Sequence, residues 1–184
     1  MNFILHKILG PQAQVDILKE VSTKPRMFGR NPIRTGYGGS AHSEIKDILL
    51  RGPTNGGSIP TRPTIKLHKE LQCAHYPAFD SFPVIEDLVD KLFMEMGFTQ
   101  VGRVIITKLR SDAAIYPHVD EGPVPEHYRR FHYVIQDGGA DHFLIGRDSQ
   151  IMQTGQLWEV DVKRKHSCIN MGYADRIHLI MDFH

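Results

Sequence analysis

Cysteine is scarce in this chain: Cys73 and Cys168 are the only two among 184 residues. They are too few and too far apart for a disulfide framework or a zinc knuckle, and they read as reduced, partly buried thiols of a cytoplasmic protein. A dominant charge is also missing. Lys and Arg total 22 against 21 Asp and Glu, so no global field gathers nucleic acid or membrane phosphates. The densest basic cluster, Lys163-Arg164-Lys165, reads as a solvated loop. No apolar run approaches the roughly 20 residues that span a bilayer. The segment Met1 to Leu9 lacks a basic region followed by a long apolar core. The expectation is a soluble, unprocessed protein with neither nucleic acid nor membrane as partner. Internal repeats and low-complexity tracts are absent as well. A chain of this length suits one domain, 1–184, able to bury roughly 70% of its unfolded surface.

What is present changes character near residue 100. The first part, 1–100, reads as a helical and loop-rich flank that supplies substrate contacts. Pro11 opens a short helix whose apolar face is Val15, Ile17, Leu18 and Val21. Pro, Gly and Asn break the chain over 23–40. Residues 43–51 fit either a capped helix or an edge strand, and 52–58 is a turn-rich loop. The clearest helix runs from Pro83 to Met96, with Ser81 as its cap, Gly97 at its end and a core face of Val84, Ile85, Leu88, Val89, Leu92, Phe93 and Met96. From residue 101 the pattern shortens to strands over 101–109, 115–119, 130–136, 142–146, 157–162, 166–171 and 176–183, most of them separated by turn residues. The expected class is mainly β with flanking helices, an antiparallel barrel or jelly roll over 101–184 that closes two sheets on a cavity.

Tyr116-Pro117-His118-Val119-Asp120 offers an imidazole and a carboxylate two residues apart, a spacing with which one extended segment can chelate a metal. Similar pairs occur at His42-Ser43-Glu44 and His68-Lys69-Glu70 among the eleven histidines. The sequel separates the first pair from these. His166 opens a later strand, and Arg176 follows it by ten residues; neither His42 nor His68 has an arginine at that spacing. Two histidines and one carboxylate on iron leave three positions open, enough for a bidentate cosubstrate and dioxygen. A guanidinium on a neighbouring strand can then grip a distal carboxylate through two parallel hydrogen bonds.

His118-x-Asp120, then His166, then Arg176 resembles the iron(II)/2-oxoglutarate-dependent dioxygenases, and most closely the aspartyl/asparaginyl β-hydroxylase family with its small-molecule relatives such as proline hydroxylases. The resemblance covers roughly 103–183. It is carried by these residues together with Arg129-Arg130-Phe131-His132-Tyr133, Gly155 to Asp161, His166 to Asn170 and Arg176 to Asp182. It implies a double-stranded β-helix of cupin-like form, with Fe(II) on His118, Asp120 and His166. Arg176 would hold the far carboxylate of 2-oxoglutarate, Arg130 and His132 would help hold the cosubstrate, and Thr107 would lie near a hydroxyl position beside the arginine. Dioxygen would be consumed, a C–H bond of an amino acid, a peptide side chain or a related small molecule hydroxylated, and succinate and carbon dioxide released. The aspartyl/asparaginyl hydroxylases themselves lack the carboxylate ligand, and Asp120 moves the comparison toward relatives that act on free amino acids or other small molecules.

Polarity alone marks His42 and Arg51 as substrate contacts or as solvent-facing residues. Trp158 reads as core or cavity wall, with substrate contact as its other role, and Asn170 as a residue that orients His166 or simply ends a strand. A cupin-like sensor that binds a small acid without turnover fits the same barrel.

Overall fold

A computed structural model describes residues 1–30, 34, 39–53 and 71–184. Most of the turn expected over 52–58, and the His68-Lys69-Glu70 pair, lie outside the described residues. The elements are β1 (Phe3–Ile8), α1 (Pro11–Ser22), β2 (Ile45–Pro53), β3 (Cys73–His75), α2 (Pro83–Glu95), β4 (Val101–Leu109), β5 (Ala113–His118), α3 (Pro123–His127), β6 (Arg129–Gln136), β7 (Asp141–Ile145), β8 (Asp148–Gln150), β9 (Gln156–Val160), β10 (His166–Asn170) and β11 (Arg176–Phe183). Every strand pairing is antiparallel. The larger sheet has the order β1-β9-β6-β11-β4-β2-β3 and the smaller one β5-β10-β7-β8.

Two cores follow from the period of two along the strands. On β11, Ile177, Leu179, Met181 and Phe183 join Phe131, Tyr133 and Ile135 of β6 in a cluster that also takes Ile17 and Val21 of α1 and Ile85, Leu88, Val89 and Leu92 of α2. Both helices thus cover one face of the large sheet. A second cluster, with Val134, Trp158, Val160, Ile115, Phe143, Ile145 and Cys168, lies between the two sheets. The intervening positions of β11 and β6, namely Arg176, His178, Asp182, Arg130 and His132, are buried and polar. This second face carries the chemistry.

The division at residue 100 needs correction. Strands β1, β2 and β3 supply three of the seven strands of the large sheet, so the first hundred residues build the fold as well as flank it. The segment left open over 43–51 becomes β2, an inner strand between β4 and β3. Its burial alternates Ile45, Asp47 against Ile48, Leu50 across the two cores. The expected cap Ser81 sits in a 3-10 turn, Phe79–Ser81, and the residue at the cap position, Phe82, has no side-chain oxygen to offer. Glu20 of α1 replaces it: its two carboxylate oxygens accept the N–H groups of Val84 (3.0 Å) and Ile85 (3.1 Å). A carboxylate there satisfies two orphan donors and complements the helix dipole. Gly97, at φ 70°, closes α2 in the left-handed conformation that favours glycine. No helix among the described residues is long and apolar enough to cross a membrane.

Candidate metal centre

The candidate metal ligands come from, or just beyond, the two strands that pair at the rim of the small sheet. His118 of β5 stands opposite His166 of β10. The register then slips, because Cys168 faces Ile115, so β5 carries an extra residue between these pairs. Pro117 falls inside this bulge on an edge strand, where its missing N–H breaks no ladder bond. The bulge re-aims the end of β5, and Asp120 is held just beyond it by its N–H to the Val162 carbonyl (3.1 Å).

Hydrogen bonds on the far side of each ring fix which nitrogen faces the centre. His118 Nδ1 lies 2.7 Å from the Tyr116 carbonyl and His166 Nδ1 lies 3.0 Å from the Arg164 carbonyl. A carbonyl only accepts, so both protons sit on Nδ1 and both Nε2 lone pairs are free. His118 Nε2 is buried without a hydrogen-bond partner; the nearest Asp120 oxygen is 3.5 Å away. One ligand atom from each of His118, Asp120 and His166 lies within 4.8 Å of the others. Two imidazole lone pairs and a carboxylate converging on one point are the donor set of a divalent transition metal. Burial lowers the pKa of His166 and so favours the neutral, ligating ring. Burial alone would raise the Asp120 pKa, but Arg130 beside it, together with His118 and His166, reverses this and holds the carboxyl far below the usual range.

Arg130 is held by carboxylates at all three of its nitrogens. Its Nε and Nη2 donate to the two oxygens of Asp182 (2.7 and 3.0 Å), its Nη1 donates to Asp120, and Arg103 supports Asp182 from the other side at 2.8 Å. Register explains the pair, since Asp182 of β11 lies directly across from Arg130 of β6. These bonds place Arg130 to orient Asp120 while it lines the cavity, with one N–H left on each Nη.

Around this centre is a narrow cavity whose lining includes Arg34, His42, Thr107, Ile115, Arg130, His132, Phe143, Val162, Arg176 and Ile180 along with the three candidate ligands. Arg176 reaches it from β11 with its Nε on Asp141 of β7 (3.0 Å) and its Nη2 on His178 Nδ1 (3.0 Å). His132, buried, lies beside it against Phe143 and His178. Burial and the nearby Arg176 push the pKa values of His132 and His178 well down, so both rings are neutral. Thr107 also lines the cavity, but its hydroxyl donates to Asp47 (2.8 Å) and accepts from Arg34 (3.1 Å). His42 reaches the cavity edge-on to His118, ring centroids 4.5 Å apart; burial, with Arg34 and His118 adding to it, takes its pKa down to about 3.

Arg51 and Trp158 do not line the cavity, and Trp158 takes the core place read for it. Arg51 donates to the Val101 and Cys73 carbonyls (3.1 and 2.7 Å), tying β2 to its neighbours. Trp158 packs in the core between the sheets with its Nε1 on Gln156 (2.9 Å). Asn170 bonds the Leu109 and Ala174 carbonyls and the Gly172 N–H, which shapes a turn and leaves His166 to Arg164. Arg34, Asp47, Asp141 and Asp182 escaped sequence reasoning. For the last of these a signal exists: Arg176-Ile177-His178-Leu179-Ile180-Met181-Asp182-Phe183 places polar residues at 176, 178 and 182, all on one face of a strand.

By sequence, residues 67–184 match the family model described as aspartyl/asparaginyl β-hydroxylase. No curated protein sequence matches the chain. Among solved structures it is similar to a prolyl hydroxylase in complex with a hypoxia-inducible factor oxygen degradation domain peptide fragment from Trichoplax adhaerens, with a TM-score of 0.60 and 12% identity over 99% of this chain and 83% of that one. It is also similar to a 2OG-Fe(II) oxygenase family oxidoreductase from Burkholderia pseudomallei, with a TM-score of 0.57 and 14% identity over 99% of this chain and 84% of that one. These likenesses carry the fold, the double-stranded β-helix. The family match carries the class: the chain belongs to the aspartyl/asparaginyl β-hydroxylase family, and it is an enzyme.

Proposed function

We propose that the protein hydroxylates a C–H bond of an amino acid, an amino-acid side chain in a peptide or a related small molecule, with iron(II) held by His118, Asp120 and His166 and with 2-oxoglutarate and dioxygen as cosubstrates. The observation that carries this reading is the buried, unpartnered Nε2 of His118 facing Asp120 and His166. When bound, iron(II) supplies the oxidative chemistry that links conversion of 2-oxoglutarate to succinate and carbon dioxide with insertion of oxygen into the substrate. The chain's own contributions are binding and orientation. Tyr116 and Arg164 carbonyls hold the two rings in the ligating tautomer. Arg130, oriented by Asp182, holds Asp120 in its ionised form. Arg176, fixed by Asp141, takes the far carboxylate of the cosubstrate. Ile115, Phe143, Val162 and Ile180 supply an apolar wall that limits water beside the reacting atoms.

A peptide substrate has support from the structural relative solved with a peptide fragment; a small molecule has support from the full triad that Asp120 completes. The two unpaired cysteines support a cytoplasmic location. The test is anaerobic loading with Fe(II), titration with 2-oxoglutarate followed by the metal-to-ligand absorption, and then admission of oxygen with succinate measured. Iron-dependent succinate is expected even without substrate, at a low rate. A protein that binds neither iron nor 2-oxoglutarate would sink the reading.

A further inference from the structure

Two guanidinium groups enter the cavity held in the same manner. Arg176 gives Nε–H to Asp141 and Nη2–H to His178. Arg34 gives Nε–H to Asp47 Oδ2 (2.8 Å) and Nη2–H to Asp47 Oδ1 (3.2 Å) and Thr107 (3.1 Å). In each case a buried aspartate pins one edge of the planar fork, and Nη1 has no partner among the described residues. A guanidinium presents five N–H donors in a fixed plane, so fixing one edge sets the direction of those left over. Arg130 differs, with both Nη atoms and Nε on carboxylates. The cosubstrate uses the fork of Arg176. The fork of Arg34 is left without a task in that reaction.

His42 stands beside it. Its ring nitrogens have no hydrogen-bond partner among the described residues, and its ring lies against His118. The two residues are tied together through Ser40, whose hydroxyl donates to the Arg34 carbonyl (2.5 Å) and accepts the His42 N–H (3.1 Å). The Ala41 carbonyl accepts the Tyr116 N–H (2.9 Å), which fastens this segment to β5, the strand that ends at His118. Arg34 and His42 are therefore fixed relative to one another and to the ligating ring.

We propose that Arg34 and His42 recognise a carboxylate on the substrate, and that the substrate is a small free acid, amino acids included. The inference rests on the hydroxylase reading and adds the substrate class. Two open N–H groups on one guanidinium nitrogen, with an imidazole lining the same recess, suit a carboxylate or an amino acid's paired polar groups. Arg34 and His42 line the same narrow recess as the three candidate ligands, and a compact acid can reach both from there.

The test uses the iron-loaded full chain and a fixed panel: free L-amino acids, small aliphatic mono- and dicarboxylic acids, the carboxamide of each, and short peptides capped at both ends. Product is read as a mass gain of one oxygen, beside succinate. At least one free acid should be oxidised, with its carboxamide roughly tenfold to a thousandfold poorer in kcat/KM, the loss of one or two charge-assisted bonds. Arg34→Lys should raise KM for that acid by at least about tenfold and divert turnover toward succinate without product, because a point charge does not replace the fork. Its iron content and 2-oxoglutarate affinity should stay at the unaltered level. Arg34→Met would leave the Asp47 carboxylate buried and unpaired, so the double variant Arg34→Met/Asp47→Asn serves as the second test, with iron loading as the check on folding. Equal turnover of acid and carboxamide would overturn the proposal. So would a preference for capped peptides, inertness of every free acid while succinate still forms, or an Arg34→Lys protein whose 2-oxoglutarate affinity falls as far as that of Arg176→Lys. Failure of the unaltered protein to bind iron and 2-oxoglutarate is a separate result, which removes the hydroxylase reading itself.

Discussion

Arg176→Lys and Arg130→Lys form a matched pair of perturbations, since each keeps a cation for its aspartate and removes only the planar fork. Arg176 is 1% exposed and already spends Nε on Asp141 and Nη2 on His178, so the donors left for a cosubstrate carboxylate are those that lysine cannot reproduce as a pair. A charge-assisted hydrogen bond is worth ~1.5–3 kcal/mol. If the ammonium restores one of two such bonds, the net loss is again ~1.5–3 kcal/mol, which weakens 2-oxoglutarate by roughly tenfold to a hundredfold. Arg130 already donates from all three of its nitrogens to Asp182 and Asp120. Its loss should change the 2-oxoglutarate dissociation constant by less than about threefold, and should weaken metal binding by about 10–100-fold, as for a partner that orients a ligand. Anaerobic titration of 2-oxoglutarate into both proteins at saturating iron, followed by the absorption of the chelate, measures the first quantity. Competition with a chromophoric chelator measures the second. If Arg130→Lys damages cosubstrate binding more than Arg176→Lys, the anchor has been assigned to the wrong strand and the orientation argued here is refuted.

Three further outcomes are expected. His118→Ala and His166→Ala should each lose most bound Fe(II) in metal analysis after anaerobic loading, with Asp120→Gly milder; unchanged iron in both histidine variants would exclude the triad as the ligand set. Glu20→Ala should cost ~1–2 kcal/mol in urea unfolding, since it strips two backbone N–H groups at the start of α2 of their acceptor, and Glu20→Gln should recover part of the loss. Acid stability should depend on Asp182. Burial alone would raise its carboxyl pKa, but Arg130 and Arg103 lower it below the ordinary value, so its contribution is present above the unfolded carboxylate pKa of about 3.9 and is lost as pH falls through the lower folded value. Asp182→Asn should therefore be less stable at pH 7 and show a shallower decline below about pH 4 in pH-dependent urea unfolding; an unaltered slope would show that the pair is not linked to folding.

Much of the β fold is written in local pattern. The seven strands expected after residue 100 coincide, within a residue or two, with β4, β5, β6, β7, β9, β10 and β11, because turn residues separate segments whose side chains alternate. The three-residue β8 (Asp148–Gln150) carries no such signal. The strands of the first half were harder to read for different reasons. β1 is an edge whose side chains are largely exposed, so alternation carries little information there. In β2 both faces are covered, so Ile45 to Leu50 fits a helix as readily as a strand. The cap of α2 was misplaced because a carboxylate sixty-odd residues earlier performs it, a contact that no local window contains. In the centre, His118 and Asp120 are visible because one bulged segment brings both, and His166 and Arg176 because strand spacing links them. Arg34 was hidden in a stretch of Pro and Gly, and its direction depends on Asp47, whose strand was itself ambiguous.

The paired charges around the cavity have a thermodynamic consequence. Arg34, Arg103, Arg130 and Arg176 meet Asp47, Asp182, Asp120 and Asp141, four positive groups against four negative. Before any metal binds, these groups sum to zero, so a dianionic acid meets fixed dipoles but no net attraction. A divalent cation among His118, Asp120 and His166 leaves an excess of two positive charges, which a dianion then cancels. The two ligands are thereby linked: each raises the affinity of the site for the other by the same factor. Free 2-oxoglutarate should accordingly hold the metal in place, and a chelator should strip it faster from protein kept without the acid.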